Sequence, residues 1–310
     1  MKLVIIAGPT AAGKTATALS VAGDFDAEIV NADSMQVYRG LDIGTAKPTS
    51  AERKEIPHHL LDVVEPDEEY HAGRFQEDAD AVVMEMQRRQ KLPLVVGGTG
   101  LYIKSLLYGL CEMPPIPAEI RLRVQAELEE EGVESLHRQL ERLDPPVAAR
   151  LAPRDRARIV RALEVYRAAG RSISYFQEQH RFSQPKYSFL YLYLACERTK
   201  LYRRIADRVQ QMLDRGFLDE VRGLLDRGFS PELKSLQSIG YRQLIRHLAG
   251  ELSLDEAVEL IVRDTRRYAK RQETWFSKVP GIKIVRENER GRIPQLIESF
   301  LQSQDCHCRR

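Results

Sequence analysis

The sequence G-P-T-A-A-G-K-T at residues 8–15 decides the fold, because it matches the phosphate-loop pattern G-x-x-x-x-G-K-[ST] in a suitable setting. The apolar run 2–7 before it predicts a buried strand, and the run 14–22 after it predicts a helix. Loop N–H groups and the positive end of a helix bind phosphate oxygens. We therefore assign all eight residues to binding a di- or triphosphate: Gly8, Pro9, Thr10, Ala11, Ala12, Gly13, Lys14 and Thr15.

Two of these side chains have predicted chemical roles. Lys14 is expected to reach the terminal phosphates, and the Thr15 hydroxyl is expected to hold a Mg²⁺ ion that bridges them. The loop alone leaves open whether the phosphate is transferred, hydrolysed or released as a leaving group.

Further apolar runs at 28–31, 92–96 and 188–195 predict strands that alternate with helices. We predict an α/β fold with a P-loop NTPase-like parallel sheet core and an all-helical insertion domain. The prolines at 114–117 end one pattern, and charge-rich helical sequence follows until Pro185. The predicted domains are residues 1–114 and 186–310 for the two parts of the core, the second with C-terminal helices, and residues 115–185 for the insertion.

Composition excludes some classes of protein. The 310 residues are 43% hydrophobic, which suffices for a packed core, and no apolar run is long enough to span a membrane. The four cysteines are too few and too scattered for a disulfide framework. We expect a cytoplasmic protein without membrane contact, and a monomer, since no sustained heptad pattern or apolar interface stripe is visible.

The formal net charge is only +2, but the charges are segregated. Residues 150–181 carry eight arginines against three acids, and a second basic stretch covers residues 263–278. Helical spacing predicts two cationic stripes, formed by Arg154, Arg158 and Arg161 and by Arg263, Arg267 and Lys270. Such stripes suit a nucleic-acid backbone, and they are equally typical of solvated helix faces with salt bridges.

Catalytic side chains are expected where the carboxyl ends of the strands meet the phosphate loop. Asp33 follows the second predicted strand, and Thr99 follows the strand at residues 92–96. From position alone, Asp33 fits a magnesium ligand, a general base or the N-cap of a helix, and Thr99 fits a substrate contact or a helix cap.

Eight segments in order resemble one family, the tRNA dimethylallyltransferases, also called tRNA isopentenyltransferases. Beyond the phosphate loop, they are A-D-S-M-Q-V-Y from Ala32, D-I-G-T-A-K-P from Asp42, H-H-L-L-D-V from His58, L-V-V-G-G-T-G-L-Y from Leu94, R-A-L-E-V from Arg161, S-I-G-Y-R-Q from Ser238 and T-R-R-Y-A-K-R-Q from Thr265. The resemblance spans almost the whole chain.

The resemblance implies transfer of a dimethylallyl group from dimethylallyl diphosphate to the exocyclic amine of the adenosine 3′-adjacent to the anticodon in tRNA. Asp33 matches the catalytic aspartate of the family and would accept a proton from that amine. Lys14 and Thr15-bound magnesium would stabilise the diphosphate leaving group. An arginine after the strand at 188–195 would complete the clamp, for which we choose Arg208 ahead of Arg204.

The resemblance also implies that the target base is splayed out of the anticodon loop. The residues expected to contact tRNA are Asp33, Ser34, Met35, Gln36, Thr99, Arg121, Arg158, Arg161, Gly240, Tyr241 and Arg242. Three alternatives remain open at this stage: an adenine-nucleotide prenyltransferase, an ATP-dependent small-molecule kinase, and a nucleotide-gated RNA-binding switch. The Arg-rich insertion favours tRNA over a free nucleotide as the acceptor.

Overall fold

A computed structural model describes residues 1–180 and 184–303, so Arg181 lies outside the described residues. The strands within these ranges are β1 Lys2–Ala7, β2 Ala27–Asn31, β3 His58–His59, β4 Leu92–Gly97, β5 Ser188–Leu194 and β6 Lys283–Val285. The α-helices are α1 Lys14–Asp24, α2 Ser50–Glu55, α3 Ala72–Arg88, α4 Gly100–Tyr108, α5 Ala118–Glu131, α6 Val133–Leu143, α7 Pro145–Ala148, α8 Arg156–Ala169, α9 Ile173–His180, α10 Arg198–Asp214, α11 Phe217–Asp226, α12 Tyr241–Leu248, α13 Leu254–Phe276 and α14 Ile293–Gln302. A 3₁₀ helix, Glu287–Arg292, precedes α14.

The strands form one parallel sheet in the order β3-β2-β4-β1-β5-β6. The predicted α/β class is confirmed, and the four predicted strands are present with boundaries shifted by at most one residue. Strands β3 and β6 were missed because segments of two and three residues carry no alternation that a sequence pattern can show.

The centre of the sheet is buried on both faces, as parallel sheets covered by helices require. Residues 3–7 of β1 have no exposed surface, and Val4 and Ile6 pack with Ala18 and Val21 of α1. Burial of each such aliphatic side chain stabilises the fold by about 1.5–3 kcal/mol. This packing fixes the direction in which β1 delivers the phosphate loop to the carboxyl edge of the sheet.

The parallel order brings three strand ends together. β1 lies beside β4, and β4 lies beside β2, so the phosphate loop after Ala7, the loop after Asn31 and the turn after Gly97 share one edge. These segments hold the candidates Lys14, Thr15, Asp33 and Thr99, whereas Arg208 lies on α10.

The chain divides into two compact units. The first unit comprises residues 1–107 and 186–310 and holds the sheet; the second, residues 108–185, contains α5 to α9 and no strand among its described residues. The second unit has its own apolar core, in which Leu136, Leu140, Ile159 and Leu163 have no exposed surface.

One predicted stripe needs a correction. α8 begins at Arg156, because the Asp155 side chain caps the helix by accepting from the Arg158 N–H. Arg154 therefore precedes the helix and does not share a helical face with Arg158 and Arg161. The second stripe is confirmed: Arg263, Arg267 and Lys270 all lie on α13 and are exposed.

Among the described residues, no helix combines the length and the apolar character needed to cross a bilayer.

Candidate active site

The phosphate loop has the backbone geometry that the motif requires. Gly13, the N-cap of α1, has φ 84°, in the left-handed region that favours glycine. A Cβ at this position would lie 2.9 Å from Nη1 of Arg290, and Nη2 of Arg290 donates to the Ala12 carbonyl at 2.5 Å. The guanidinium thus supports the loop at Ala12 and Gly13, where α1 begins and its N-terminus can bind an anion.

Lys14 lies folded into the loop. Its Nζ donates to the carbonyl of Gly8 at 3.1 Å and to that of Pro9 at 2.9 Å. Part of the side chain is exposed, but the ammonium itself lies inside the loop. Burial lowers the pKa of Lys14 from 10.5 to about 8; Asp33 opposes this shift and Arg208 adds to it. The ammonium therefore lacks a strong anionic partner, which a phosphate would supply.

Asp33 is held in a tight turn directly after β2. Its N–H donates to Oδ1 of Asn31 at 3.2 Å, and its own Oδ1 accepts from the Met35 N–H at 2.9 Å. No helix begins between Ser34 and Thr49, so the helix N-cap interpretation of Asp33 is wrong. One carboxylate oxygen fixes the turn, and the other is available for chemistry.

The turn after β4 braces the Asp33 segment. The Thr99 N–H donates to the Ala32 carbonyl at 3.1 Å, and the Thr99 hydroxyl accepts from the Ser34 N–H at 3.0 Å. Gln36 is anchored by its side-chain NH₂, which donates to the carbonyls of Thr45 and Ala46 at 3.1 and 3.3 Å. Adjacent strand ends therefore hold the residues that sequence assigned to the acceptor.

Asp33 lines two cavities of the first unit. A cavity of about 40 Å³ is bordered by Lys14, Thr15, Asn31 and Gln36, besides Asp33. A larger one, of about 330 Å³, lies in the range typical of small-molecule sites. Its polar lining includes Thr10, Asp33, Ser34, Arg208, Arg242 and Tyr268. Asp33 therefore lies where the space beside Lys14 and Thr15 meets the larger cavity.

Arg208 and Arg204 both project from α10 but have different surroundings. Arg208 lines the larger cavity, where burial lowers its pKa and Asp33 partly restores it. Arg204 pairs with Glu287 and contacts the Cys196 sulfur. Since the guanidinium of Arg204 is already neutralised, Arg208 is the better placed of the two for an incoming anion.

Segment 240–242 also borders the larger cavity, but its side chains have partners in the fold. Tyr241 is buried, and its hydroxyl donates to Glu220 Oε1 at 2.6 Å. Glu220 also accepts from the N–H groups of residues 42–44. Arg242 pairs with Asp264 at 2.7 Å and keeps 40% of its side chain exposed. Gly240 is buried as well, so Arg242 is the member of this segment with exposed surface to offer a ligand.

Comparison with known proteins agrees with this geometry. The family model for IPP transferase matches residues 36–279, most of the chain. The chain belongs to the IPP transferase family. It is 53% identical over 280 residues to the tRNA dimethylallyltransferase of Syntrophobacter fumaroxidans, covering 90% of this chain and 82% of that protein. The corresponding enzyme of Geobacter metallireducens is 52% identical, over 89% of this chain and 90% of its own length.

Solved structures of related enzymes have the same fold as this chain. The tRNA isopentenylpyrophosphate transferase of Bacillus halodurans has a TM-score of 0.72 and 37% identity, covering 97% of this chain and 96% of its own. A eukaryotic dimethylallyltransferase, described as acting on tRNA, has a TM-score of 0.80 and 30% identity, over 96% of this chain and 77% of its own. The resemblance inferred from motifs is confirmed.

The remaining predicted contacts lie in the helical unit of this IPP transferase. Arg121 is exposed on α5, and Arg158 and Arg161 are exposed on α8. Arg158 pairs with Asp155 at 2.9 Å, and Arg161 lies 3.6 Å from Glu164. Both pairs join residues three apart, and in each the arginine is the exposed partner, so the guanidinium groups are accessible to phosphate.

Sequence analysis missed one face of α13. Tyr268 and Arg271 line the larger cavity, and Gln272 contacts the phosphate loop. Burial raises the pKa of Tyr268, with a further contribution from Asp33, so its phenol stays protonated. The signal was present: Thr265, Tyr268 and Gln272 are spaced by three and four residues, which places them on one helical face. The sequence analysis of this helix considered only the cationic stripe of Arg263, Arg267 and Lys270.

The site offers oxygen donors that suit magnesium. The Thr15 hydroxyl and the Asp33 carboxylate line the same small cavity. Among the described residues, no group of three or more His, Cys, Asp or Glu side chains could hold a metal ion. Magnesium commonly takes one or two protein ligands and completes its shell with phosphate oxygens and water. The residues therefore fit a magnesium ion that arrives with the diphosphate.

Proposed function

We propose that this enzyme transfers the dimethylallyl group of dimethylallyl diphosphate to the exocyclic amine of the adenosine 3′-adjacent to the anticodon in tRNA, and releases diphosphate. One observation carries the proposal: the Asp33 carboxylate lines both the cavity at the phosphate loop and the larger open cavity. A base in that position adjoins the donor on one side and the acceptor on the other.

The donor half of the site is cationic. Lys14 borders the small cavity and Arg208 the larger one, and the two cations are close enough for Arg208 to lower the pKa of Lys14. The diphosphate is proposed to bind between them, against the N–H groups of the loop. When the bond between the allylic carbon and oxygen breaks, negative charge develops on the leaving diphosphate, and these groups stabilise it. Magnesium, when bound at Thr15, supplies additional neutralisation of the phosphate oxygens.

The acceptor half of the site selects and deprotonates the amine. The adenine amine attacks the allylic carbon, the carbon–oxygen bond breaks, and the amine proton passes to the free oxygen of Asp33. The hydrogen bond from the Ser34 N–H to the Thr99 hydroxyl holds the backbone next to Asp33, and Ser34 also lines the larger cavity. Tyr268 adds a protonated phenol on the same side of the site.

The acceptor is proposed to be tRNA because the helical unit carries exposed cationic side chains that a free nucleotide would not need. Arg121, Arg158 and Arg161 are exposed there, and such groups suit a phosphate backbone. Named relatives at about half identity are tRNA-modifying enzymes, which favours the same acceptor. An adenine-nucleotide prenyltransferase is the second candidate, because the phosphate loop and Asp33 serve it equally.

The test uses labelled dimethylallyl diphosphate, magnesium and either unmodified tRNA or AMP, with wild-type protein and Asp33→Asn. We expect label in tRNA alone, and a loss of rate of about 10²–10⁴-fold in the variant. Thr45→Ser serves as a control in the larger cavity, since it preserves the hydroxyl that donates to the Leu41 carbonyl at 2.6 Å.

Label in AMP would assign the chain to nucleotide prenylation. Label in neither acceptor, together with ATP-dependent formation of ADP, would establish a kinase and overturn the proposal.

A further inference from the structure

Gln272 lies on α13, and 5% of its surface is exposed. Its Oε1 accepts from the Thr10 N–H of the phosphate loop at 2.9 Å, and its Nε2 donates to the Gly98 carbonyl after β4 at 3.0 Å. Both partners are backbone groups of fixed polarity, so the orientation of the amide is determined. A side chain with one acceptor and one donor at this spacing is required to satisfy them.

The site for this amide is built into the turn. A Cβ at position 98 would lie 2.1 Å from Nε2 of Gln272, so the absence of a side chain at Gly98 is what admits the glutamine. On the other side, Thr10 adjoins Ala11, which has φ 63°, a left-handed conformation that costs energy in a residue with a side chain. The bond to the Thr10 N–H stabilises the loop next to this strained residue.

The contact continues to the catalytic carboxylate. Thr99 follows Gly98 and accepts from the Ser34 N–H through its hydroxyl, and Ser34 follows Asp33. Thr10, Gln272, Gly98, Thr99 and Ser34 therefore form a continuous path of hydrogen bonds and peptide bonds from the phosphate loop to the Asp33 segment.

We infer that Gln272 is a positioning residue that holds the phosphate loop at a fixed distance from the Asp33 segment and thereby couples diphosphate binding to acceptor binding. The inference rests on the proposed function, in which the two segments hold donor and acceptor. Gln272 acts through Thr10 and Gly98, and the Thr10 N–H that it occupies leaves the later N–H groups of the loop for phosphate. Because coupling free energies are reciprocal, bound tRNA must favour the diphosphate as much as the diphosphate favours tRNA.

The test compares wild type with Gln272→Met, which keeps a similar volume and removes both hydrogen bonds. Ser105→Ala is the matched control: it removes a buried hydroxyl of the same unit, which donates to the Tyr102 carbonyl at 2.8 Å. Titration calorimetry with magnesium diphosphate, in the presence and absence of tRNA, gives the affinity and the coupling ratio. Thermal unfolding of each protein reports the loss of stability.

We expect both variants to unfold at lower temperature than wild type. For Gln272→Met alone, diphosphate affinity should fall about tenfold, because two buried backbone groups lose their partners and the loop loosens. The ratio of diphosphate affinities with and without tRNA should exceed one in wild type and fall towards one in this variant. The KM for dimethylallyl diphosphate should rise more than kcat falls.

An unchanged affinity and coupling ratio in Gln272→Met, or equal losses in Ser105→Ala, would make Gln272 a packing residue and overturn the inference. These titrations need no turnover. A wild-type protein that binds diphosphate but transfers no label to tRNA would refute the proposed function. In that case the diphosphate affinities of wild type and Gln272→Met would still decide whether Gln272 holds the loop.

Discussion

The pKa of Lys14 predicts how donor binding depends on pH. In the free protein, burial lowers this pKa to about 8, and the ammonium is bonded only to the carbonyls of Gly8 and Pro9 among the contacts of the loop. A bound diphosphate brings several negative charges to the ammonium and raises its pKa. Binding above pH about 8 must therefore take up a proton.

The magnitude follows from this shift. Below pH about 8, Lys14 is already charged, so its titration should not make the affinity for the donor depend on pH. Above it, each further pH unit should weaken binding up to tenfold, or about 1.4 kcal/mol, until the pKa of the complex is reached. At pH about 10 the affinity should be up to roughly 100-fold lower than at neutral pH, where Lys14 is fully charged.

The assay is titration calorimetry with dimethylallyl diphosphate at pH about 7 and about 9, in buffers that differ in ionisation enthalpy. We expect no proton uptake through Lys14 at the lower pH and nearly one proton per site at the higher. Lys14→Arg carries a charge that does not titrate in this range, so its affinity should be flat with pH. A flat wild-type profile, or equal proton uptake by Lys14→Arg, would refute the reasoning.

Three further outcomes are expected. Arg208→Gln should raise the KM for dimethylallyl diphosphate and lower kcat, because Arg208 lies close enough to Lys14 to affect its pKa and would bind the same diphosphate, whereas tRNA binding measured by filter retention should change little. Replacing both Arg158 and Arg161 by alanine should weaken tRNA binding and flatten its salt dependence, with diphosphate affinity unchanged; equal loss of both affinities would indicate a structural role. Glu28 is buried, and its hydrogen bonds to Arg89, and to a lesser extent to His59, lower its pKa from 4.5 to about 2. The ionised carboxylate therefore stabilises the folded state fully above pH about 4.5, and this stabilisation is lost as the pH falls towards 2. Glu28→Gln should therefore reduce the free energy of unfolding by up to about 3 kcal/mol at neutral pH in denaturant titrations, and the difference from wild type should shrink as the pH falls towards 2.

Most of the fold was predictable from local pattern. The phosphate-loop motif predicts a strand before it and a helix after it, because the loop binds phosphate only when it connects these two elements. Long apolar runs such as Phe189–Leu194 report strands covered on both faces. Strands β3 and β6 were not predictable, because they exist only through pairing with β2 and β5.

Local sequence was a weaker guide to the helix faces. The N-cap at Asp155 shortened α8 and removed Arg154 from a stripe that spacing alone supported. The choice between Arg204 and Arg208 depended on Glu287, which lies some 80 residues further along the chain and pairs with Arg204. Partners so distant in sequence leave no periodic signal.

The sequence by itself determined the α/β class, the phosphate loop and the position of Asp33 directly after a strand, because each depends on residues that are neighbours along the chain. The tertiary structure alone decided that Asp33 lines both cavities and that Gln272 joins Thr10 to Gly98. These are contacts between segments up to 262 residues apart, and they form only when the parallel sheet brings separate strand ends to one edge and α13 packs across them.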